Sequence, residues 1–227
     1  LMYLLAFIPG LLALTSIWLG GLWLIATPAF VFFFVPLVEL FLRGTERNAD
    51  AAGEVARRKD PVHDAVLYAI VPLHVAILGS LLWLAPTGAI TGWTLVGSAA
   101  VASISCGAYG LNVGHELGHR TGRLPRAISK LMNLSTVYGH FFIEHNRGHH
   151  ARVATPEDPA SARRGEWLPA FWLRSMAGGW VSAWGIEADR LRRKGRSPWT
   201  WDNEMIRLEV AQGAVVGGVF VIGGPAA

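Results

Sequence analysis

Six of the eight histidines fall between positions 115 and 150. In His115-Glu116-Leu117-Gly118-His119 two imidazoles stand four residues apart. That spacing puts both on one face of a helix, within reach of a single metal ion. Taken alone, this pattern reads as a zinc site with the glutamate as general base. In Glu144-His145-Asn146-Arg147-Gly148-His149-His150 three more imidazoles occur within six residues. On an α-helix His145 and His149 share a face, and His150 points about 100° away from His149. Five imidazoles exceed what one four-coordinate zinc requires, so a second metal is the economical reading. Imidazole serves iron, copper, nickel and zinc alike, and the ligand type does not name the metal. His140 precedes Glu144 by one helical turn, so the two are expected to share a face and hydrogen-bond. His140, Glu144, Glu116 and Asp158 are the candidates for groups that hold the ligand rings in place. His63 and His74 lack such companions and read as structural hydrogen-bonding groups.

The elements that must position these clusters are apolar. The 227-residue chain is 52% hydrophobic and 16% charged, against roughly 25% charged for a soluble globular protein. That balance excludes a disordered chain and a nucleic-acid-binding tail, and the single cysteine, Cys106, excludes an internal disulfide framework. Leu1 to Val38 and Ala65 to His115 carry no charge, and each run is long enough for two helical spans of about 20 residues. The expected helices are about 2–19, 23–42, 63–84 and 92–119. Five Lys or Arg follow the second and four follow the fourth, so those connections belong on the cytoplasmic side. Residues 127–143 read as a re-entrant or interfacial segment. Residues 144–204 read as a histidine-bearing loop and an interfacial segment, with six Trp among basic residues from Trp167 to Trp201. Residues 208–227 read as the start of another span. The fold class is all-α: a polytopic transmembrane helix bundle with a histidine-rich metal site on its cytoplasmic side, in one membrane domain over 1–227.

The string HELGHR, followed 25 residues further on by EHNRGHHARVATPEDPASARRGE, resembles the membrane-bound alkane 1-monooxygenases of bacteria. Their wider group includes membrane fatty-acid desaturases and hydroxylases. The resemblance implies a six-helix bundle in the bacterial inner membrane with a non-haem di-iron centre facing the cytoplasm. It implies terminal hydroxylation of n-alkanes drawn from the bilayer, with dioxygen as co-substrate and electrons from rubredoxin, itself reduced by a rubredoxin reductase. Carried over by motif, the iron ligands fall on His115, His119, His145, His149 and His150. Further family ligands, in an NYxEHYG-type segment and a final HxxHH-type cluster, have no match here. The chain thus covers roughly the first three-fifths of the family pattern, and alone it is expected to bind iron poorly and not to turn over.

Three other readings set the comparison. A zinc protease would use His115, His119 and Glu116 but leaves the second cluster unexplained. A desaturase or aromatic-methyl hydroxylase would share the same metal chemistry. A metal transporter would place histidines inside the spans rather than at their ends. Phe30, Phe32 and Phe34 are candidates for a channel wall that limits chain length, with lipid contact the plainer role. The basic residues Arg163, Arg164, Arg192, Arg193, Lys194 and Arg196 suit either an acidic rubredoxin or anionic membrane lipid.

Overall fold

The computed structural model describes residues 2–42 and 61–223. The basic connection over 43–60 and the last four residues of the 208–227 run lie outside the described residues. Helices are joined by turns, with no strand among the described residues. They form two compact units: the described residues up to Tyr109 together with 219–223, and Gly110–Gly218.

The first unit begins with a 3-10 segment, Met2–Phe7, that leads into α1 (Ile8–Leu19). It continues with α2 (Gly21–Phe41), α3 (Pro61–Leu84) and the first part of α4 (Gly92–Gly118). The last three are each long and apolar enough to cross a membrane, whereas the apolar Tyr3–Leu19 is shorter. Small residues let the backbones approach, as in lipid-embedded bundles. Ala13 and Ser16 of α1 and Ser98, Ala102 and Ser105 of α4 are buried with Ile17, Ile77 and Val101. The Tyr109 hydroxyl accepts from the Gly10 amide and donates to the Ala6 carbonyl, both at 2.7 Å, which ties the start of α1 to α4. The opposite surfaces stay apolar: Leu22, Leu40 and Phe41 are at least 80% exposed, as suits contact with lipid tails. Phe32 and Phe34 are exposed as well.

The second unit holds the end of α4, α5 (Arg123–Ser135), α6 (141–152), α7 (Leu168–Arg192) and α8 (Glu204–Gly223) as far as Gly218. Helix α5 folds back on the end of α4. The Ser129 hydroxyl donates to the Gly114 carbonyl, and Asn133 lies so close to Gly114 that a Cβ there would sit 2.6 Å from Asn133 Oδ1. The region read as one segment over 127–143 is broken. The Ser135 and Thr136 hydroxyls bond back to the Met132 and Asn133 carbonyls, and the Tyr138 amide bonds to the Asn133 carbonyl, which ends α5. Val137 takes φ 56°, a strained value for a β-branched residue, and helix resumes at Phe141. Helix α6 is then held by a core of Phe142, Ile143, Ala183, Met205 and Leu208.

Candidate metal centre

His115 lies in the last regular turn of α4, and His119 caps that helix. Their rings meet edge-on with centroids 4.7 Å apart, as the four-residue spacing requires. His145 and His150 arrive from α6. One ring nitrogen from each of His115, His119, His145 and His150 lies within 4.8 Å of the other three. His145 Nε2 is 3.3 Å from His119 Nε2 and 3.0 Å from His150 Nε2. Two nitrogens bound to one ion at about 2.1 Å, with an angle of about 90–110°, lie about 3.0–3.4 Å apart. The donor set therefore fits a metal ion. Phe141 stacks on the His145 ring with centroids 4.8 Å apart and fixes its plane.

Electrostatics keep these nitrogens available as ligands. Burial first, then the neighbouring imidazoles, lowers the His145 pKa to about 3. Burial lowers His140 to about 4. Burial and the nearby His119 and His149 lower His150 as well. Neutral imidazole is the form that binds a metal.

The second cluster departs from the expected helical geometry. Glu144–His149 is a π-helical turn, with backbone bonds that reach five residues instead of four. The wider register brings together His145 and His150, which are five apart. An α-helix would instead have paired His145 with His149. The His149 ring stacks on His145 at 5.4 Å but lies outside the four-nitrogen group. Its Nδ1 donates to Asp158 Oδ2 at 2.8 Å. A carboxylate behind an imidazole fixes ring orientation and tautomer, the usual setting of a metal-binding histidine whose other nitrogen points at the ion. Asp158 is itself buried. Burial by itself would raise its pKa, but the Ser161 hydroxyl, the Ala160 amide and the His149 ring together hold it below the ordinary value.

The remaining candidates go elsewhere. Glu116 is exposed and pairs with Arg120 at 3.1 Å, the surface pairing of residues one turn apart. Glu144 binds Arg152 at 2.9 Å. The expected hydrogen bond between the His140 and Glu144 side chains is not formed. His140 Nε2 and Glu144 Oε2 are buried without a hydrogen-bond partner among the described residues. The Glu144 carboxylate lies along the helix over Gly148, where a Cβ would overlap Oε2. His74, in the first unit, packs against the Ser105 hydroxyl at 3.2 Å.

Sequence reasoning missed the groups that hold α6 in place. Glu187 of α7 is fully buried. Its carboxylate accepts from Arg147 at 2.5 Å, from Arg190 twice at 2.8 Å, and from the Glu204 amide that opens α8 at 2.7 Å. Arg147 also donates to Glu204, which Lys130 of α5 pairs from the other side. Arg147 lies between His145 and His150 in sequence, so this network anchors the metal-facing turn to α5, α7 and α8. An isolated Glu187 in an otherwise amphipathic stretch gives no local signal of that role.

Comparison with known proteins fits this geometry. The family model described as fatty acid desaturase matches residues 91–227. An alkane 1-monooxygenase of Ectopseudomonas oleovorans is 40% identical over 149 residues, covering 66% of this chain and 37% of that protein. Alkane 1-monooxygenase 1 of Alcanivorax borkumensis is 37% identical over 191 residues, covering 84% of this chain and 47% of that protein. The xylene/toluene monooxygenase hydroxylase component of Pseudomonas putida is 33% identical over 177 residues, covering 75% of this chain and 47% of that protein. The chain thus spans less than half the length of each of these relatives.

Proposed function

The chain belongs to the fatty acid desaturase family, and from that premise we propose that it is part of a membrane alkane hydroxylase, converting n-alkanes to 1-alkanols at a non-haem di-iron centre. The observation that carries this reading is the convergence of four imidazole nitrogens within 4.8 Å at the end of a membrane-spanning-capable helix. Their sequence context is the one shared with the alkane 1-monooxygenases. His115, His119, His145, His149 and His150 are the proposed ligands. Iron held there supplies dioxygen activation, because no amino-acid side chain can break an unpolarised terminal C–H bond.

The chain's own residues supply placement. Neutral His145 and His150 present lone pairs rather than protons to the site. Asp158 fixes the His149 ring, and Phe141 fixes that of His145. The apolar helix α4, which ends at the site, gives an alkane a route to it from the bilayer. Rubredoxin is the proposed electron donor, with the basic residues Arg163, Arg164, Arg193 and Lys194 as its docking surface. Arg192 and Arg196 already pair with Asp189 and Asp202 and contribute less. We put the site on the cytoplasmic side of the bacterial inner membrane, a reading that the Lys and Arg of the connections support. The zinc-protease reading leaves His145 and His150 unexplained, although their ring nitrogens join those of His115 and His119.

The test is metal analysis and product identification on the full-length protein, supplied with rubredoxin, its reductase and octane. Two irons per chain and formation of 1-octanol support the reading. One zinc and no iron overturns it. The xylene/toluene monooxygenase relative supports a second reading, hydroxylation of an aromatic methyl group. Preferential oxidation of toluene to benzyl alcohol over octane would favour that reading.

A further inference from the structure

We propose that a small cavity beside the histidine cluster, largely apolar but bordered by two residues that carry unpartnered polar atoms, is a water-binding site, and that it is the route by which water formed in the reaction leaves. The cavity has a volume of about 60 Å³, and its wall includes His140, Glu144, His145, His149, Pro159 and Gly179. His140 is 7% exposed and Glu144 5%. His140 Nε2 and Glu144 Oε2 find no partner among the described residues. A buried polar atom left without a hydrogen bond costs roughly 1–3 kcal/mol, and native structures satisfy such groups with protein or with ordered water. A water needs two to four polar partners and occupies about 30 Å³ in the liquid. The cavity therefore has room for about one or two, with a carboxylate acceptor and a ring nitrogen on its wall.

Charge selects water over a cation. The other oxygen of Glu144 is paired with Arg152, whose same nitrogen also donates to Ser182, so the carboxylate is already balanced. The nearby Asp158 is held by His149, Ser161 and Ala160. The ring nitrogens that cluster tightly enough for a metal belong to His115, His119, His145 and His150, of which His145 alone lines this cavity. The unpartnered His140 Nε2 and Glu144 Oε2 likewise argue against a dry pocket, since cavities that stay empty lack polar groups in need of a partner.

Pro159 is the wall between this site and solvent, which a leaving water must pass. It lines the inner cavity and also an open cleft of about 510 Å³ bordered by Glu157, Arg163, Arg174 and Ser182. The exit role rests on the proposed function. Hydroxylation consumes one alkane, one dioxygen, two electrons from the donor protein and two protons, and yields one alcohol and one water. The rings of His145 and His149, which would hold the iron, border the cavity, so water released at that centre would have this cavity next to it.

Gly179 provides the test. A Cβ there would lie 3.6 Å from Glu144 Cγ and 4.0 Å from His140 Nε2, ordinary contacts that leave both side chains in place. Gly179→Ala therefore narrows the cavity, and Gly179→Val fills more of it. The first measurement is a crystal structure of the full-length iron-loaded protein at a resolution that shows water, with data at the iron and zinc edges. A water peak within hydrogen-bond distance of Glu144 Oε2 and His140 Nε2, without anomalous signal, is expected. An anomalous peak there, or an empty pocket, overturns the site. In the Gly179→Val structure the water is lost. Should that variant fail to fold, Gly179→Ala is expected to show reduced water occupancy, and full occupancy in it overturns the assignment. For the exit role, Gly179→Val is expected to lower kcat on octane at unchanged KM and unchanged iron content. An unchanged kcat with the water gone overturns that role. The crystallographic arm needs no substrate, so failure to make an alcohol counts against the alkane reading and leaves the water site standing.

Discussion

Replacing Glu187 with alanine is expected to destabilise the second unit by about 3 kcal/mol or more and to weaken metal binding with it. Glu187 is fully buried and accepts four hydrogen bonds, from Arg147, from two nitrogens of Arg190 and from the Glu204 amide. Removing one partner of a buried ion pair costs roughly 3–5 kcal/mol, because the other charge is left uncompensated. Here Arg147 keeps Glu204 at 2.8 Å and Arg190 keeps the Asp202 carbonyl at 2.8 Å. The loss therefore sits near the lower end of that range. Asp189→Ala is the control. Its pair with Arg192 is 59% and 65% exposed, and exposed pairs contribute about 0–1 kcal/mol. The assay is denaturation of the full-length protein in mixed micelles, with metal affinity read by competition against a chelator. Glu187→Gln keeps the volume and is expected to retain most of the loss, since charge rather than packing is removed. If Glu187→Ala and Asp189→Ala differ by less than about 0.5 kcal/mol, the buried network does not hold this unit together. If stability falls while metal affinity is unchanged, Arg147 does not set the histidine turn.

Other outcomes follow from the same geometry. Gly148→Ala drives a methyl group into the Glu144 carboxylate and is expected to cost about 1–3 kcal/mol. Its metal content should fall alongside its unfolding midpoint. In the metal-free protein, His140 and His145 are held near 4 and 3, below the 6.5 of the unfolded chain. As pH falls from 6.5 the unfolded state takes up protons first. Stability is thus fully present above about pH 6.5 and is lost on acidification, His140 alone removing on the order of 3 kcal/mol by pH 4. Unfolding midpoints measured between pH 7 and 5 should fall, and less steeply when metal holds His145 unprotonated; a flat profile would contradict the burial of these rings. Val137→Gly relieves a left-handed backbone at φ 56° and is expected to raise stability by up to about 1 kcal/mol without changing metal content.

The all-helical class and the first histidine pair were legible because each depends on a local rule. Uncharged apolar runs become helices such as α3, and a four-residue spacing on regular α-helix puts His115 beside His119. The second cluster was legible as chemistry but not as geometry. Counting along an α-helix pairs His145 with His149, whereas the π-helical turn pairs His145 with His150 and leaves His149 to Asp158. Nothing in the residue types from Glu144 to His150 announces that change of register. It depends on contacts from α5, α7 and α8, which are distant in sequence. The partner of Glu144 is Arg152 rather than the expected His140, because Gly148 lets the carboxylate lie along its own helix. Within 127–143, read as a re-entrant or interfacial segment, the break between α5 and α6 was not legible, because the apolar residues conceal the side-chain caps at Ser135 and Thr136.

These departures share a cause. A π-helical turn is rare and is found most often at functional sites, so a short one must be held by its surroundings. The contacts around α6 do this at three points between Phe142 and Arg152. Phe142 and Ile143 anchor its start in the apolar core. Arg147 locks its middle to Glu187 and Glu204. Arg152 ties its end back to Glu144 and across to Ser182. The histidines occupy the positions between these anchors, where their rings face the end of α4. Buried charge that would be a poor investment for stability alone is here located where it fixes a backbone register. That is why Glu187, which touches no histidine, is expected to influence metal affinity more than a surface glutamate adjacent to a ligand, such as Glu116.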